Sequence, residues 1–259
     1  MNLTDDETLK FLRGSPVFID DICAVYCATL GEIIDIGYSK FQQYLGVVTS
    51  TKPTVKNSAD DEMARLLDKL TDFQYLLMLS TIDAEMNKML KEAFHFFTHE
   101  NVSFSLEPPQ IIVGDIESQR ILTEKHFVDF QRLIKRMYFL EQEGEEIIIN
   151  PDDNPALVAM KKKMLENRAK VRKAKAKKAE REKNDLKLSD LIGSLTINHC
   201  GLNIENIWNI TYYAFHDQLK RMGWRDQFDI NNRAALAGAK MKKGQLKHWM
   251  RSIASTDKS

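Results

Sequence analysis

Proline and glycine are scarce, with 6 and 11 residues in a chain of 259. That argues against an all-β fold with many tight turns and favours helices. Cysteine is scarcer still: Cys23, Cys27 and Cys200. Cys23 and Cys27 have no second pair to complete a zinc ribbon, so the expected role is small apolar packing in a reducing compartment. No apolar run approaches the roughly 18 residues needed to cross a bilayer. The acidic start, Asn2-Leu3-Thr4-Asp5-Asp6-Glu7, lacks the basic-then-apolar pattern of a signal peptide. A cytoplasmic protein is expected. Also missing are the Gly-x4-Gly-Lys phosphate loop, Gly-x-Gly-x-x-Gly and Gly-x-Ser-x-Gly.

Net charge is absent too, but by cancellation: 37 Lys and Arg stand against 37 Asp and Glu. Residues 161–183 hold twelve basic and three acidic side chains, a charge of +9. The remainder, with 25 basic and 34 acidic residues, carries −9. A chain split this way has two charged surfaces to explain. With 43% hydrophobic and 29% charged residues, it is not disordered as a whole.

The pattern along the chain predicts a mainly α fold with a minor β component. A short helix is expected over 5–12. Val17-Phe18-Ile19 and Ile22 to Tyr26 flank Asp20-Asp21 as a small hairpin. Thr29-Leu30-Gly31-Glu32 has capping-box spacing, and Ile33, Ile36, Phe41, Tyr44, Leu45 and Val48 predict one helix over 30–47. Residues 49–59 read as a loop. Helical stripes follow at Met63 to Leu70, at Phe73 to Leu79 after a Thr71-Asp72 cap, and at Met86 to Phe97. Val102 to Leu106 alternates with period two, and Ile111-Ile112-Val113 follows, predicting a hairpin. Thr123 caps a helix to about 141, and 145–150 reads as a strand.

Pro151 to Pro155 marks a boundary. Residues 156–184 lack Gly and Pro and are rich in Ala, Lys, Arg and Glu, which predicts a polar helix. The expected division is a helical domain with small β elements over 1–150, a basic helical connector over 151–185, and an aromatic-rich helical module over 186–259. In the last of these, Asn203 is expected to cap a helix closed by Gly223. Ala234 to Ala239 reads as a small-residue helix, and Leu246 to Met250 as a last short one.

Candidate chemistry is thin. His95 and His99 share a helical face, and Glu92 lies one turn back. A zinc protease needs Glu after the first His, and Phe96 stands there. Structural or surface histidines are the simpler reading, so no metal, cofactor or catalytic residue is expected, and the protein is read as non-enzymatic. The connector lysines and arginines, Lys170, Arg172, Lys173 and Lys177 among them, point around the whole helix. They suit a solvated linker, an acidic protein partner including a second copy of the chain, or nucleic-acid phosphates. All three Trp fall in the last quarter. Trp208, Tyr212, Trp224 and Trp249 are candidates for a partner-binding surface, because a module of about 65 residues encloses only a small core.

Two stretches carry a resemblance. Cys27 to Tyr38, followed by Phe41 and Tyr44-Leu45, resembles an N-terminal segment of tail-region proteins of phages infecting Gram-positive bacteria. Ile207 to Tyr213, then Asp217-Gln218-Leu219, Ala234 to Ala239 and His248-Trp249-Met250, resembles the closing segment of the same kind of protein. The family is that of tail assembly chaperones. The resemblance implies a non-enzymatic helical protein of the host cytoplasm that coats the tape measure protein and recruits tail-tube subunits. The chain is longer than the shorter chaperones, which correspond to the part before the basic helix. The alternative reading is a nucleic-acid-binding or packaging accessory protein acting through 161–183.

Overall fold

The structure, a computed structural model, describes residues 4–52, 69–115, 117–140, 154, 158, 160, 186–198, 201–241 and 246–250. The expected helix from Met63, the strand at 145–150 and nearly all of the connector lie outside the described residues. Two compact units emerge. The first joins Met1–Glu141 with Glu205–Arg251, and the second joins Gln142–Ile204 with Ser252–Ser259.

The first unit is mainly helical with two small antiparallel sheets. In chain order it holds α1 (Asp5–Arg13), β1 (Val17–Ile19), β2 (Cys23–Val25), α2 (Leu30–Ile36), α3 (Tyr38–Val48), α4 (Asp72–Ile82), α5 (Ala84–Thr98), β3 (Val102–Ser105), β4 (Gln110–Val113), β5 (Arg120–Leu122) and α6 (Glu124–Met137). Threonine starts these helices repeatedly. Thr4, Thr29 and Thr71 each accept from the N–H three residues on, and Glu7, Glu32 and Gln74 answer from the other side. Each such cap satisfies donors that the helix cannot, a gain of about 1 kcal/mol.

β1 and β2 form the hairpin around Asp20-Asp21, with Val17 opposite Val25. β3, β4 and β5 form a meander in which Ile111 pairs both Phe104 and Leu122. The third strand was not expected: only Ile121 and Leu122 of its three residues are apolar. The predicted single helix 30–47 is two. Gly37 at φ 89° breaks it, a backbone angle that glycine adopts without penalty. α3 and α4 pack on α5, and α6 packs on β1 and β5. The core is phenylalanine-rich: Phe94 stacks on Phe130 at 4.7 Å, and Phe73 tilts against Phe127 at 5.3 Å. Gln131 donates to the Val48 carbonyl at 2.9 Å, tying α6 to the end of α3.

The C-terminal stretch is where the structure departs most from expectation. Residues 186–259 do not form a module of their own. Residues 205–251 belong with the N-terminal body, and Leu188–Asn198 (α7) lies in the second unit with Ile192 and Leu195 buried. A short 3-10 turn at Ile207–Asn209 precedes α8, Tyr212–Leu236. Thr211, not Asn203, caps α8 by accepting from the Ala214 N–H at 3.0 Å. The helix runs on through Gly223, since an exposed glycine costs a helix only about 1 kcal/mol. It takes in Ala234, Ala235 and Leu236 and ends there. Residues 246–250 are not helical.

The reason for the merger is a junction that a pattern of apolar residues does not reveal. Thr211 bridges Thr29 as an antiparallel pair. The Leu30 N–H donates to the Ile210 carbonyl at 3.0 Å, and the Tyr212 N–H donates to the Ala28 carbonyl at 2.8 Å. The Thr211 hydroxyl donates to the Phe11 carbonyl at 2.8 Å. Gly31 admits the Trp208 carbonyl: a Cβ there would lie 3.1 Å from that oxygen. Among the described residues no helix is long and apolar enough to cross a membrane.

The junction yields two predictions. Thr211→Val keeps the shape but removes the cap and the bond to Phe11. It should lower unfolding free energy by about 2 kcal/mol in denaturant titration. His216 sits among Tyr212, Phe139 and Phe215. Burial lowers its pKa from 6.5 to about 4, so the unfolded chain takes up a proton that the folded chain refuses. This stability is complete above about pH 6.5 and is lost as pH falls toward about 4. Melting temperature should fall across that window, and His216→Leu should flatten this part of the fall.

Candidate binding surface on the C-terminal helix

The first turns of α8 are anchored in aromatic core. Tyr213 meets the edge of Phe11 at 5.3 Å and stacks on Phe139 at 4.9 Å. Tyr212 lies 5.6 Å from Phe41 and 5.5 Å from Tyr138. The Tyr138 hydroxyl accepts from the Ala28 N–H at 2.9 Å, so the same short segment, residues 28–30, is held from α8 and from the end of α6. Phe215 is fully buried, and Asp217 is 4% exposed. Asp217 does not strand its charge: Arg221 Nε donates to it at 2.7 Å, one turn on. Burial pushes the Cys27 thiol up to about 12, and Thr211 and Tyr213 contact it from α8. Cys23 is pushed up to about 12 by burial as well. Both thiols are therefore neutral packing groups, as the sequence led us to expect.

Past Asp217 the helix changes character. From Gln218 to Leu236 no residue is buried. Ile230 is 62% exposed and Leu236 is 82% exposed. A helix of 25 residues is about 37 Å long, and only its first two turns are held by core. The Lys220 ammonium lies 5.6 Å above the half-buried Trp224 ring. Residues 246–250 fold back on the helix: His248 lies 5.1 Å from Phe228 and stacks on Trp249 at 5.7 Å.

The eight residues expected to contact a partner therefore fare differently. Lys170, Arg172, Lys173 and Lys177 lie outside the described residues. Trp224 and Trp249 are half-buried on the exposed part of the C-terminal segment. Trp208 is half-buried too, but its backbone is committed to Gly31. Tyr212 is corrected: at 8% exposure it is core, because Thr211 caps the helix and turns the next residue inward. Phe228 and His248 belong to the same surface as Trp224 and Trp249. The sequence placed them near these tryptophans without indicating the fold-back that joins them.

The pair His95 and His99 is divided by local structure. His99 ends α5 in the left-handed region and stacks on Tyr26 at 4.2 Å. Glu92, considered as a third ligand, accepts from the Tyr44 hydroxyl at 2.8 Å and pairs with Lys40 at 3.0 Å. Among the described residues no group of three His, Cys, Asp or Glu is arranged to hold a metal ion.

Anchored and projecting turns of one helix should respond differently to truncation. Phe215→Ala should cost about 3–5 kcal/mol of stability, whereas Phe228→Ala should cost under about 1 kcal/mol. Chemical denaturation of the two variants checks this contrast.

Comparison with known proteins gives one family match. Residues 176–254 match the model of a phage-related domain described as the YomV second domain. The matched span starts inside the basic segment and runs through α7 and α8 to the folded-back tail. No match was found among curated proteins or among solved structures.

Proposed function

We propose that the protein is a non-enzymatic phage tail assembly protein, a chaperone that binds the tape measure protein and tail-tube subunits in the host cytoplasm. The observation that carries this reading is α8, a long helix with its first two turns in the core and no buried residue from Gln218 to Leu236. A helix that buries so little of its length in its own core is suited to serve as an interaction element. Leu219, Met222 and Trp224, in the turns just beyond the anchor, offer apolar and aromatic contact to a partner helix. The phage-related match supports the setting, and it covers the same closing segment that resembles tail assembly chaperones.

The division of labour follows from charge. Residues 1–160 hold 14 basic and 27 acidic side chains, and residues 161–259 hold 23 basic and 10 acidic. The acidic part suits basic patches of tube subunits, and the helical C-terminal part suits a long helical partner.

Co-expression with the tape measure protein of the same phage tests the reading. The tape measure protein should become soluble and co-purify with this chain. Met222→Asp with Trp224→Asp, both half-buried on the part of α8 beyond the core, should abolish capture without changing the fold by circular dichroism. Unchanged tape measure solubility with no recovered complex would contradict the proposal.

A further inference from the structure

The far end of α8 differs from its near end in charge. After Asp229 no acidic residue occurs until Asp257, and six basic residues lie between: Arg233, Lys240, Lys242, Lys243, Lys247 and Arg251. Arg233, Lys240 and Lys247 are described, and all three are exposed. None of the three is in an ion pair among the described residues. Nearer the anchor the basic residues are matched, with Arg221 on Asp217 and Arg225 beside Asp226.

The folded-back tail brings rings to the helix just before Arg233: His248 lies against Phe228 and stacks on Trp249. The Met250 N–H donates to His248 Nδ1 at 3.1 Å, which orients the imidazole. Ile230 and Leu236, the two large aliphatic residues of this end, are six residues apart, so they point about 120° from each other around the helix. Helix-in-groove docking needs large apolar anchors on one side, and these two do not share one. What remains is positive charge without ion pairs among the described residues, on a segment that also carries His248 and Trp249.

We propose that the far end of α8, with residues 246–250 folded on it, is a binding site for single-stranded nucleic acid. The Arg233 guanidinium and the Lys240 and Lys247 ammonium groups meet phosphates and release counterions. The Trp249 ring, already stacked on His248 on one side, offers its other face to a base. A duplex keeps its bases stacked inside and can use only the charge. In sequence the site lies outside residues 161–183, a stretch that contains no aromatic residue, and it does not depend on the tail-assembly reading.

Fluorescence anisotropy of a labelled oligo-dT strand with the full chain, over a range of salt, tests this. Wild-type binding should weaken with salt. The triple variant R233Q/K240Q/K247Q should lower the salt slope by about 2, near 0.7 per lost phosphate contact on a single strand. Trp249→Ala should weaken the single strand about tenfold and leave a duplex of equal length unchanged. Arg233, Lys240 and Lys247 are exposed and Trp249 lies on the tail, so circular dichroism and melting temperature should match wild type. Absence of binding at low salt would overturn the proposal. So would an unchanged slope in the triple variant alongside loss of binding in K170Q/R172Q/K173Q/K177Q, which would assign the binding to the connector. Salt-sensitive self-association that the triple variant abolishes, without oligonucleotide binding, would overturn it in favour of the acidic region of a second copy.

Discussion

Backbone exchange between residues 28–30 and 210–212 is the constraint from which the rest of the first unit follows. Two N–H groups and two carbonyls pair across it, and the Thr211 hydroxyl adds a third tie, to Phe11. Buried polar groups left unpaired cost about 1–3 kcal/mol each. The N-terminal body therefore has a seam that only the C-terminal segment satisfies. Both α2 and α8 start at this seam, each capped by the threonine that forms the bridge. The aromatic side chains follow from that placement. With Thr211 fixed, Tyr212 and Tyr213 fall among Phe11, Phe41 and Tyr138, and Phe215 is fully buried.

A helix fixed so firmly at one end can extend without support at the other. Asp217 marks the change. It is the last buried residue of α8, and Arg221 neutralises it from the first exposed turn. The exposed length then divides into an apolar and charge-matched stretch and a basic aromatic end. Local stability should fall along the helix in the same order, because opening free energy follows burial. Interaction surface and marginal stability go together here for one physical reason: no residue from Gln218 to Leu236 is buried.

Three of the helix caps and both hairpins were legible in the sequence because they are local, whereas the cap of α8 was not. Thr29 with Glu32, Thr71 before Asp72, and Thr123 before α6 announce helix starts within four residues. Asp20-Asp21 between two apolar runs announces a turn. The mainly α fold with minor β was legible for the same reason. The split at Gly37 was not, since a single glycine is compatible with a continuous helix. The placement of residues 205–251 was not either. It depends on backbone groups at Ala28, Leu30, Ile210 and Tyr212, and every residue has such groups. The aromatic concentration at 208–249 was visible, but its sorting was hidden. Tyr212 and Phe215 are core while Trp224 and Trp249 are half-exposed, and the difference is set by distance from Thr211 rather than by residue type.

The C-terminal segment completes the N-terminal body, and native-state amide hydrogen exchange at Leu30 and Tyr212 probes this, because these two N–H groups make the cross-seam bonds. Both should exchange only through global unfolding, with the same opening free energy and denaturant dependence as core amides such as those of Phe94 and Phe130. Fast exchange at Leu30 and Tyr212 while Phe94 and Phe130 stay protected would show that the seam opens on its own, and would contradict it.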